Sequence, residues 1–370
     1  MSRAVIGSQG ELYGTTSLGG ALNYGTVYEL APPTSGAAWI ETVLHSFNGP
    51  DGEDPTTALL IGPDGALYGD TLWSAGGSGI TFELYPPSDG GTHWTEEVLS
   101  KFTGLNGGNP SGALSVGESG ALYGATLYGN GTVYSLTQPT TAGGAWTQIT
   151  VYKFPGGSGG AQPRGALAVS RNGTIFGSTT YGGTTGSACT TGCGTVYSLT
   201  PPAGAGEPWT HTVVYAFNPA GGDGRYPYAG VLLASSGVIY GTTEDGGGGV
   251  GTVFSLSPPA VPGTPMTETI LHVFGSPGDG SQPAGNLVLA SNGVLYGTTL
   301  TGGAHGAGTV YQLTPPASPG GTWHETILHS FAVTDGQSPY GLTAGPGGVL
   351  YGTTGGGGTS NNGTVFSLAP

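Results

Sequence analysis

The chain has 370 residues, a formal net charge of −15 and only six lysines and arginines. This composition argues against nucleic acid and anionic membrane surfaces as partners, because phosphate neutralisation requires clustered cations. No apolar run approaches the roughly 20 residues of a membrane span. The 77 glycines and 28 prolines approach the level of disordered chains, but low charge and regularly spaced aromatic residues indicate a folded protein.

A Leu-Tyr-Gly tripeptide and its variants recur through the whole chain. The seven copies end at Gly14, Gly69, Gly124, Gly177, Gly241, Gly297 and Gly352. A fixed spacing, here about 55 residues, indicates one supersecondary unit copied in tandem. Because the repeat continues without a break in composition, we predict a single domain over residues 1–370.

Each repeat contains four short segments typical of strands, which we call a, b, c and d. In the second repeat they cover residues 58–61, 66–71, 80–84 and 97–102. A Pro-Asp-Gly turn separates a from b, and Pro86-Pro87 ends strand c because proline cannot donate to a ladder. No segment has helical periodicity.

A four-stranded meander repeated seven times predicts a seven-bladed β-propeller with antiparallel blades. A linear solenoid is the alternative, but it would need polar caps at both ends. Strand d occurs only six times, so one blade is predicted to lack its fourth strand. A segment preceding residue 1 in a native precursor is one expected source of that strand.

The repeats resemble the GloVer (Gloeo/Verruco) repeat of bacterial surface proteins over nearly the whole chain. The resemblance rests on Asp-Gly-Ser-Gln-Pro at 279–283, Asn-Gly-Val-Leu-Tyr-Gly-Thr-Thr at 292–299, Gly-Thr-Val-Tyr at 308–311 and Glu-Thr-Ile-Leu-His-Ser-Phe at 325–331. It implies a propeller and an exported, secreted or cell-surface protein, and it supplies no catalytic residues. Asp70 and Phe176 depart from the repeat pattern.

Strand parity places the d–a and b–c loops together on one face of the propeller, which we call the d–a/b–c face. Loops on a rigid scaffold commonly carry function, and exposed aromatics beside carboxylates suit sugar rings. The aromatic, acidic and basic residues of this face are Tyr24, Asp51, Glu53, Asp54, Trp73, Tyr128, Tyr181, Asp223, Arg225, Tyr226, Glu244, Asp245, Asp279, His305 and Asp335.

Residues that are not repeated are the better functional candidates, because the scaffold does not require them in every unit. Asp70 stands where other repeats carry small or hydroxyl side chains, so we expect it to face the central channel beside Trp73. The candidate ligand-binding residues are Trp73, Asp70, Tyr128, Tyr181, Arg225 and Tyr226, and the candidate catalytic carboxylates are Asp70, Asp54, Glu244 and Asp245. The repeated aspartates, tyrosines and histidines, among them Asp279, Tyr68 and His272, are interpreted as structural.

The only two cysteines, Cys189 and Cys193, lie four residues apart in a glycine-rich loop. A disulfide is the first interpretation, with free thiols and a metal site as alternatives, and two thiols alone do not complete a structural zinc site. Asp51, Glu53 and Asp54 form an acidic loop that could attract calcium, but without EF-hand spacing. We predict no metal site and no cofactor.

Two function classes fit the sequence. The first is an exported, monomeric scaffold that presents a binding face to a glycan or extracellular protein. The alternative is an enzyme acting on polysaccharide at the channel mouth. A hydrolase would need two carboxylates about 5–10 Å apart, and a lyase would need a base with a cation such as Arg225.

Overall fold

The computed structural model describes residues 3–33, 38–88, 91, 93–141, 144–204, 206–218, 220, 222–259, 264–318 and 320–370. Within these ranges the regular secondary structure is β-strand, apart from two single-turn 3₁₀ helices at Gly157–Gly159 and Pro346–Gly348. No helix in the described part of the chain is long and apolar enough to span a membrane.

The sheets follow one another along the chain as the blades of a propeller. Blades 1 and 2 contain Val5–Ile6 (β1), Leu12–Thr16 (β2), Thr26–Ala31 (β3), Ile40–Ser46 (β4), Leu60–Ile61 (β5), Leu67–Thr71 (β6), Ile80–Tyr85 (β7) and Thr95–Lys101 (β8). Blades 3 and 4 contain Pro110–Val116 (β9), Leu122–Thr126 (β10), Thr132–Thr137 (β11), Thr147–Lys153 (β12), Ala161–Val169 (β13), Ile175–Tyr181 (β14), Thr195–Thr200 (β15) and Thr210–Ala216 (β16).

The later blades are less regular. Blade 5 contains Leu232–Leu233 (β18), Ile239–Thr243 (β19), Thr252–Ser257 (β21) and Thr267–Val273 (β22), with a ribbon of Gly224–Arg225 (β17) and Asp245–Gly246 (β20). Blade 6 contains Gly280–Pro283 (β23), Val288–Leu289 (β24), Leu295–Gly302 (β25), Thr309–Thr314 (β26) and His324–Ser330 (β27), where β23 and β24 both pair with β25. Blade 7 contains Gln337–Ala344 (β28), Leu350–Gly356 (β29) and Val365–Leu368 (β30).

All strand pairs within the blades are antiparallel, and blades 1 to 5 have the order a-b-c-d. Blade 7 is the smaller sheet, with three strands. The ring closes because blade 7 contacts blade 1: the Thr343 hydroxyl donates to the carbonyl oxygen of Ala4 over 2.6 Å. The predicted seven-bladed propeller with one incomplete blade is therefore confirmed.

Aromatic contacts between neighbouring blades explain the repeated motif. The phenylalanine after strand d packs edge-to-face on the aromatic residue of strand c in the next blade, with ring centroids 5.0–5.2 Å apart. The pairs are Phe47–Phe82, Phe102–Tyr134, Phe154–Tyr197, Phe217–Phe254, Phe274–Tyr311 and Phe331–Phe366. Such pairs stabilise beyond the area that they bury, so each blade needs its neighbour.

The tyrosine of the Leu-Tyr-Gly motif makes a second contact between blades. It meets the tryptophan that precedes strand d of the next blade, as in Tyr68–Trp146 and Tyr123–Trp209, with centroids 6.1 and 6.2 Å apart. Tyr351 and Trp39 repeat this contact across the closure of the ring, at 6.3 Å. The structural interpretation of these tyrosines is confirmed.

The a–b turns lie on the opposite face from the d–a and b–c loops. Gly65, Gly173 and Gly293 have φ angles of 80–85° there, in the left-handed region that only glycine adopts at low cost. These turns are tight hairpins, and the c–d loops share that face with them.

Candidate functional site

The d–a and b–c loops meet on one face, as strand parity predicts. The amide of Glu53 donates to the carbonyl of Trp73 over 2.8 Å, and the amide of Trp73 donates back to Glu53 over 3.1 Å. In blade 5 the loops form the β17–β20 ribbon. These backbone bonds hold the loops to the scaffold, so their side chains have fixed positions.

A cavity of about 360 Å³ opens at this end of the central channel. It lies where the a strands begin and the b strands end, and residues of several blades contribute to it. Its lining includes Arg3, Ser111, Arg164, Tyr228, Asn286 and Tyr340. The volume falls within the range of small-molecule sites. We call this space the channel cavity.

Arg164 is the central side chain of the channel cavity. Its guanidinium carbon lies 4.6 Å from the centre of the Tyr228 ring, a favourable distance for a cation–π contact. The Nε atom is buried and has no hydrogen-bond partner among the described residues. Arg164 therefore has an aromatic support but an unused donor.

Two tyrosines of the channel cavity respond electrostatically to Arg164. Burial raises the pKa of Tyr228 and of Tyr340, Arg164 opposes the rise, and Glu244 adds to it. Tyr181 also raises the pKa of Tyr228. Both phenols consequently stay protonated at neutral pH and act as hydrogen-bonding groups rather than bases.

Glu244 is the acidic neighbour of this cluster and sits in the b–c loop of blade 5. Burial raises its pKa, Asp245 raises it further, and Arg164 lowers it. No ion pair within 4.0 Å joins Glu244 to Arg164 among the described residues. Glu244 therefore interacts with Arg164 electrostatically without occupying its hydrogen-bond donors.

The expectation that Asp70 faces the channel is wrong. Asp70 is 1% exposed and lies between blades 2 and 3. The Thr81 hydroxyl donates to its Oδ1 over 2.6 Å, and the Tyr134 hydroxyl donates to the same atom over 2.9 Å. The neighbouring blade explains this carboxylate, because Asp70 accepts a hydrogen bond from the buried Tyr134 hydroxyl of blade 3.

Trp73 and Tyr128 are exposed on the d–a/b–c face, at 47% and 58%. Each directly follows a leucine that lines the channel cavity, Leu72 or Leu127. Both aromatic residues belong to the d–a/b–c face, on blades 2 and 3, and the Tyr128 ring lies beside Gly104 of the preceding d–a loop. Aromatic faces of this kind suit the apolar side of a sugar ring.

The sequence profile of the Gloeobacter/Verrucomicrobia repeat family matches residues 1–190 and 183–370. The chain belongs to this family. No curated protein sequence matches it.

Solved structures share the propeller fold at low identity. A candidate 6-phosphogluconolactonase from Bacteroides uniformis is 14% identical, with a TM-score of 0.57 over 92% of this chain and 88% of that chain. Another from Bacteroides fragilis is 16% identical, with a TM-score of 0.56 over 96% and 92%. At these identities the likeness shows the fold alone.

Arg225 and Tyr226 already have partners within the Gloeobacter/Verrucomicrobia repeat scaffold. Arg225 forms an ion pair with Asp245, Nη2 to Oδ2, at 2.9 Å. The Tyr226 ring packs edge-to-face on Tyr181, 5.8 Å between centroids, and its hydroxyl donates to the carbonyl of Ala188. These contacts order the loops of blades 4 and 5 beside the channel cavity.

Cys189 and Cys193 are joined by a disulfide in the structure, with Cα atoms 5.2 Å apart. Both side chains are buried, and the carbonyl of Cys193 accepts the amide of Tyr226 over 2.8 Å. The bridge thus fixes the b–c loop that supports Tyr226.

Asp54 and Tyr226 share a backbone position that the repeat itself explains. The residue before the d–a proline is left-handed in six repeats, with φ between 54° and 58°. The residues are Asp54, Asn109, Gln162, Tyr226, Gln282 and Ser338. In each, the amide donates to a carbonyl of the preceding b–c loop. Within the acidic loop, Asp51 accepts two bonds from Asn48, both of 2.7 Å, and pairs with His45 at 3.3 Å.

The histidines of strand d belong to polar contacts between blades at the outer rim. His272 lies 3.2 Å from Asp279 and 3.5 Å from Glu325 of blade 6, and this set has the spacing of a metal cluster. At the preceding blade boundary Tyr215 takes the position of His272, with its hydroxyl 3.0 Å from Asp223 and 2.7 Å from Glu268. Since a tyrosine replaces the histidine and keeps the polar contact with two carboxylates, we interpret this group of residues as a contact that joins neighbouring blades.

Sequence reasoning missed Arg164, Tyr228 and Tyr340. They directly follow the d–a proline, a position that holds Thr56, Ser111 or Ala284 in other repeats. Variation at this otherwise regular position was the available signal. It required knowing that the first residue of strand a faces the channel.

Proposed function

We propose that the protein is an exported, monomeric repeat scaffold that binds a glycan on its d–a/b–c face, in and around the channel cavity. The observation that carries the proposal is the convergence of unrepeated polar and aromatic side chains, Arg164, Tyr228 and Tyr340, on one cavity in an otherwise repetitive molecule. A rigid scaffold with one irregular concave site is typical of ligand binding.

The Cys189–Cys193 disulfide supports a location outside the cytoplasm, because disulfides persist in oxidising compartments. Exposed Trp73 and Tyr128 supply apolar platforms on the same face as the cavity. A glycan chain longer than the cavity would contact both the channel residues and these platforms.

The hydrolase alternative receives little support from the described residues. The lining of the channel cavity contains no aspartate or glutamate, and Glu244 beside it is a single carboxylate rather than the pair that glycoside hydrolysis uses. A lyase is the better enzymatic candidate, because Arg164 places a cation beside two phenols. The raised pKa of both phenols disfavours proton abstraction, so we rank binding first.

The test is a glycan array followed by calorimetry on the glycans that bind, with reducing-end and unsaturated-product assays on the same panel. We expect binding without product. The Trp73→Ala, Tyr128→Ala double variant should weaken binding about tenfold or more, because covering roughly 40 Å² of each ring with a sugar is worth about 1 kcal/mol at roughly 25 cal/mol per Å². Val116→Ala, an exposed apolar residue at the opposite end of strand a, is the control. Product release from the bound glycan would replace the proposal with the lyase or hydrolase, and an array without any binder would reject it.

A further inference from the structure

The cations of this acidic chain are not distributed evenly. Two of its six lysines and arginines, Arg3 and Arg164, line the channel cavity, while no acidic residue lines it. Arg3 comes from blade 1 and Arg164 from blade 4, so they approach the cavity from different sides of the ring. In a protein with a net charge of −15, this cavity is a local positive site.

Both arginines have unused hydrogen-bonding capacity. The Nε atoms of Arg3 and Arg164 are buried without a partner among the described residues. A buried donor without an acceptor is costly, and a guanidinium cannot escape the cost by losing its proton at neutral pH. An oxyanion in the cavity would satisfy these donors.

The surroundings of Arg164 favour a planar anion attached to a ring. Tyr228 supports one face of the guanidinium, which leaves the edge for a carboxylate, the anion that matches the guanidinium fork. Asn286 also lines the cavity, and its Oδ1 accepts the amide of Gly230 over 2.9 Å, which leaves the amide nitrogen as the donor end of this side chain.

We propose that the channel cavity binds the carboxylate of an acidic sugar, such as a uronate unit of a polysaccharide, through Arg164 and Arg3. This inference rests on the proposed glycan-binding function and names its ligand class. The aromatic residues at the cavity contact the sugar ring, and the arginines select the acid over its neutral counterpart.

Glu244 provides an internal control on the sign of the effect. Arg164 lowers the pKa of Glu244, so the two side chains are close, and an ionised Glu244 would repel a carboxylate in the cavity. Removing its charge should tighten the binding of an acidic sugar and leave a neutral sugar unaffected.

The experiment measures binding by calorimetry of short oligouronates, matched neutral oligosaccharides and inorganic sulfate or phosphate. We expect the oligouronate to bind at least tenfold more tightly than the neutral sugar. Arg164→Gln should weaken oligouronate binding about 10- to 100-fold, the worth of hydrogen bonds to a charged group. Glu244→Gln should strengthen it several-fold. The matched control is Arg171→Gln, an exposed arginine in the a–b turn of blade 4 on the opposite face.

The outcomes separate this inference from the function on which it rests. If neutral and acidic sugars bind equally and Arg164→Gln changes neither, the glycan-binding function stands and the acidic-sugar inference is wrong. If inorganic oxyanions compete as strongly as the oligouronate, the site recognises a free oxyanion and the inference also fails. If no sugar binds, the proposed function fails first. Melting temperatures of all variants confirm that each remains folded.

Discussion

The buried carboxylate of Asp70 makes a quantitative prediction about stability. Its pKa is raised from 3.8 to about 7 in the folded protein, chiefly by burial, while hydrogen bonds from Thr81 and Tyr134 oppose the rise. Each unit of pKa corresponds to about 1.4 kcal/mol. Ionised Asp70 therefore destabilises the folded protein by about 4 kcal/mol relative to its protonated form.

The sign follows from proton binding. Between pH 4 and pH 7 the folded state holds the Asp70 proton and the unfolded state releases it, so this residue makes stability fall as the pH rises through that window, by about 1.4 kcal/mol per pH unit. Both hydrogen bonds reach Oδ1, and the amide oxygen of asparagine can accept them equally. Asp70→Asn should consequently match the wild type at pH 4 and exceed its free energy of unfolding by up to about 4 kcal/mol at pH 8.

The assay is urea denaturation of wild type and Asp70→Asn from pH 4 to pH 8, since the other titrating groups cancel in the difference. Glu118→Gln, at an exposed residue of an a–b turn, is the surface control for replacing a carboxylate by an amide. A pH-independent difference for Asp70→Asn, or a variant less stable than wild type at pH 8, would refute the buried, unpaired-charge description of this carboxylate.

Three further predictions concern the scaffold. Tyr197→Phe should be neutral or stabilising, because its hydroxyl is buried without a partner among the described residues. Tyr134→Phe should instead lower the free energy of unfolding by about 1.5–3 kcal/mol at pH 8, because it removes a hydrogen bond to a charged group. Equal urea midpoints for the two variants would contradict this. Phe217→Ala should cost about 3–5 kcal/mol because it empties a fully buried contact between blades, and a loss below 1 kcal/mol would show that the blades do not depend on it. Denatured, unreduced protein should contain no thiol in a colorimetric assay, since Cys189 and Cys193 are bridged; two thiols per chain would disprove the bridge.

Much of the architecture could be predicted because the same strand and turn pattern occurs seven times in the sequence. The Leu-Tyr-Gly spacing gave the blade number, and the six copies of strand d gave the incomplete blade. Parity of the strands placed Trp73 and Tyr128 on the face where the channel cavity opens. Repetition averages out local ambiguity, since a signal too weak in one blade is supported by the others.

The candidate site was only partly accessible to this reasoning. Asp70 is exceptional in the sequence, yet its role is to accept a hydrogen bond from Tyr134 of the next blade, 64 residues away along the chain. Arg164 looks ordinary in the sequence, yet it lies in the channel beside Tyr228, which is also 64 residues away along the chain. Distance along the chain conceals both pairings, which depend on how adjacent blades face each other.

The sequence by itself determined the number of blades, the strand order, the structural role of the repeated tyrosines and the grouping of the d–a and b–c loops on one face, because these follow from periodicity and strand parity. Only the tertiary structure decided which unrepeated residues share an environment. Closure of the ring brings Arg3 of the first blade and Arg164 of the fourth to one cavity, because their positions depend on curvature around the whole ring. Packing of blade 3 against blade 2 buries Asp70.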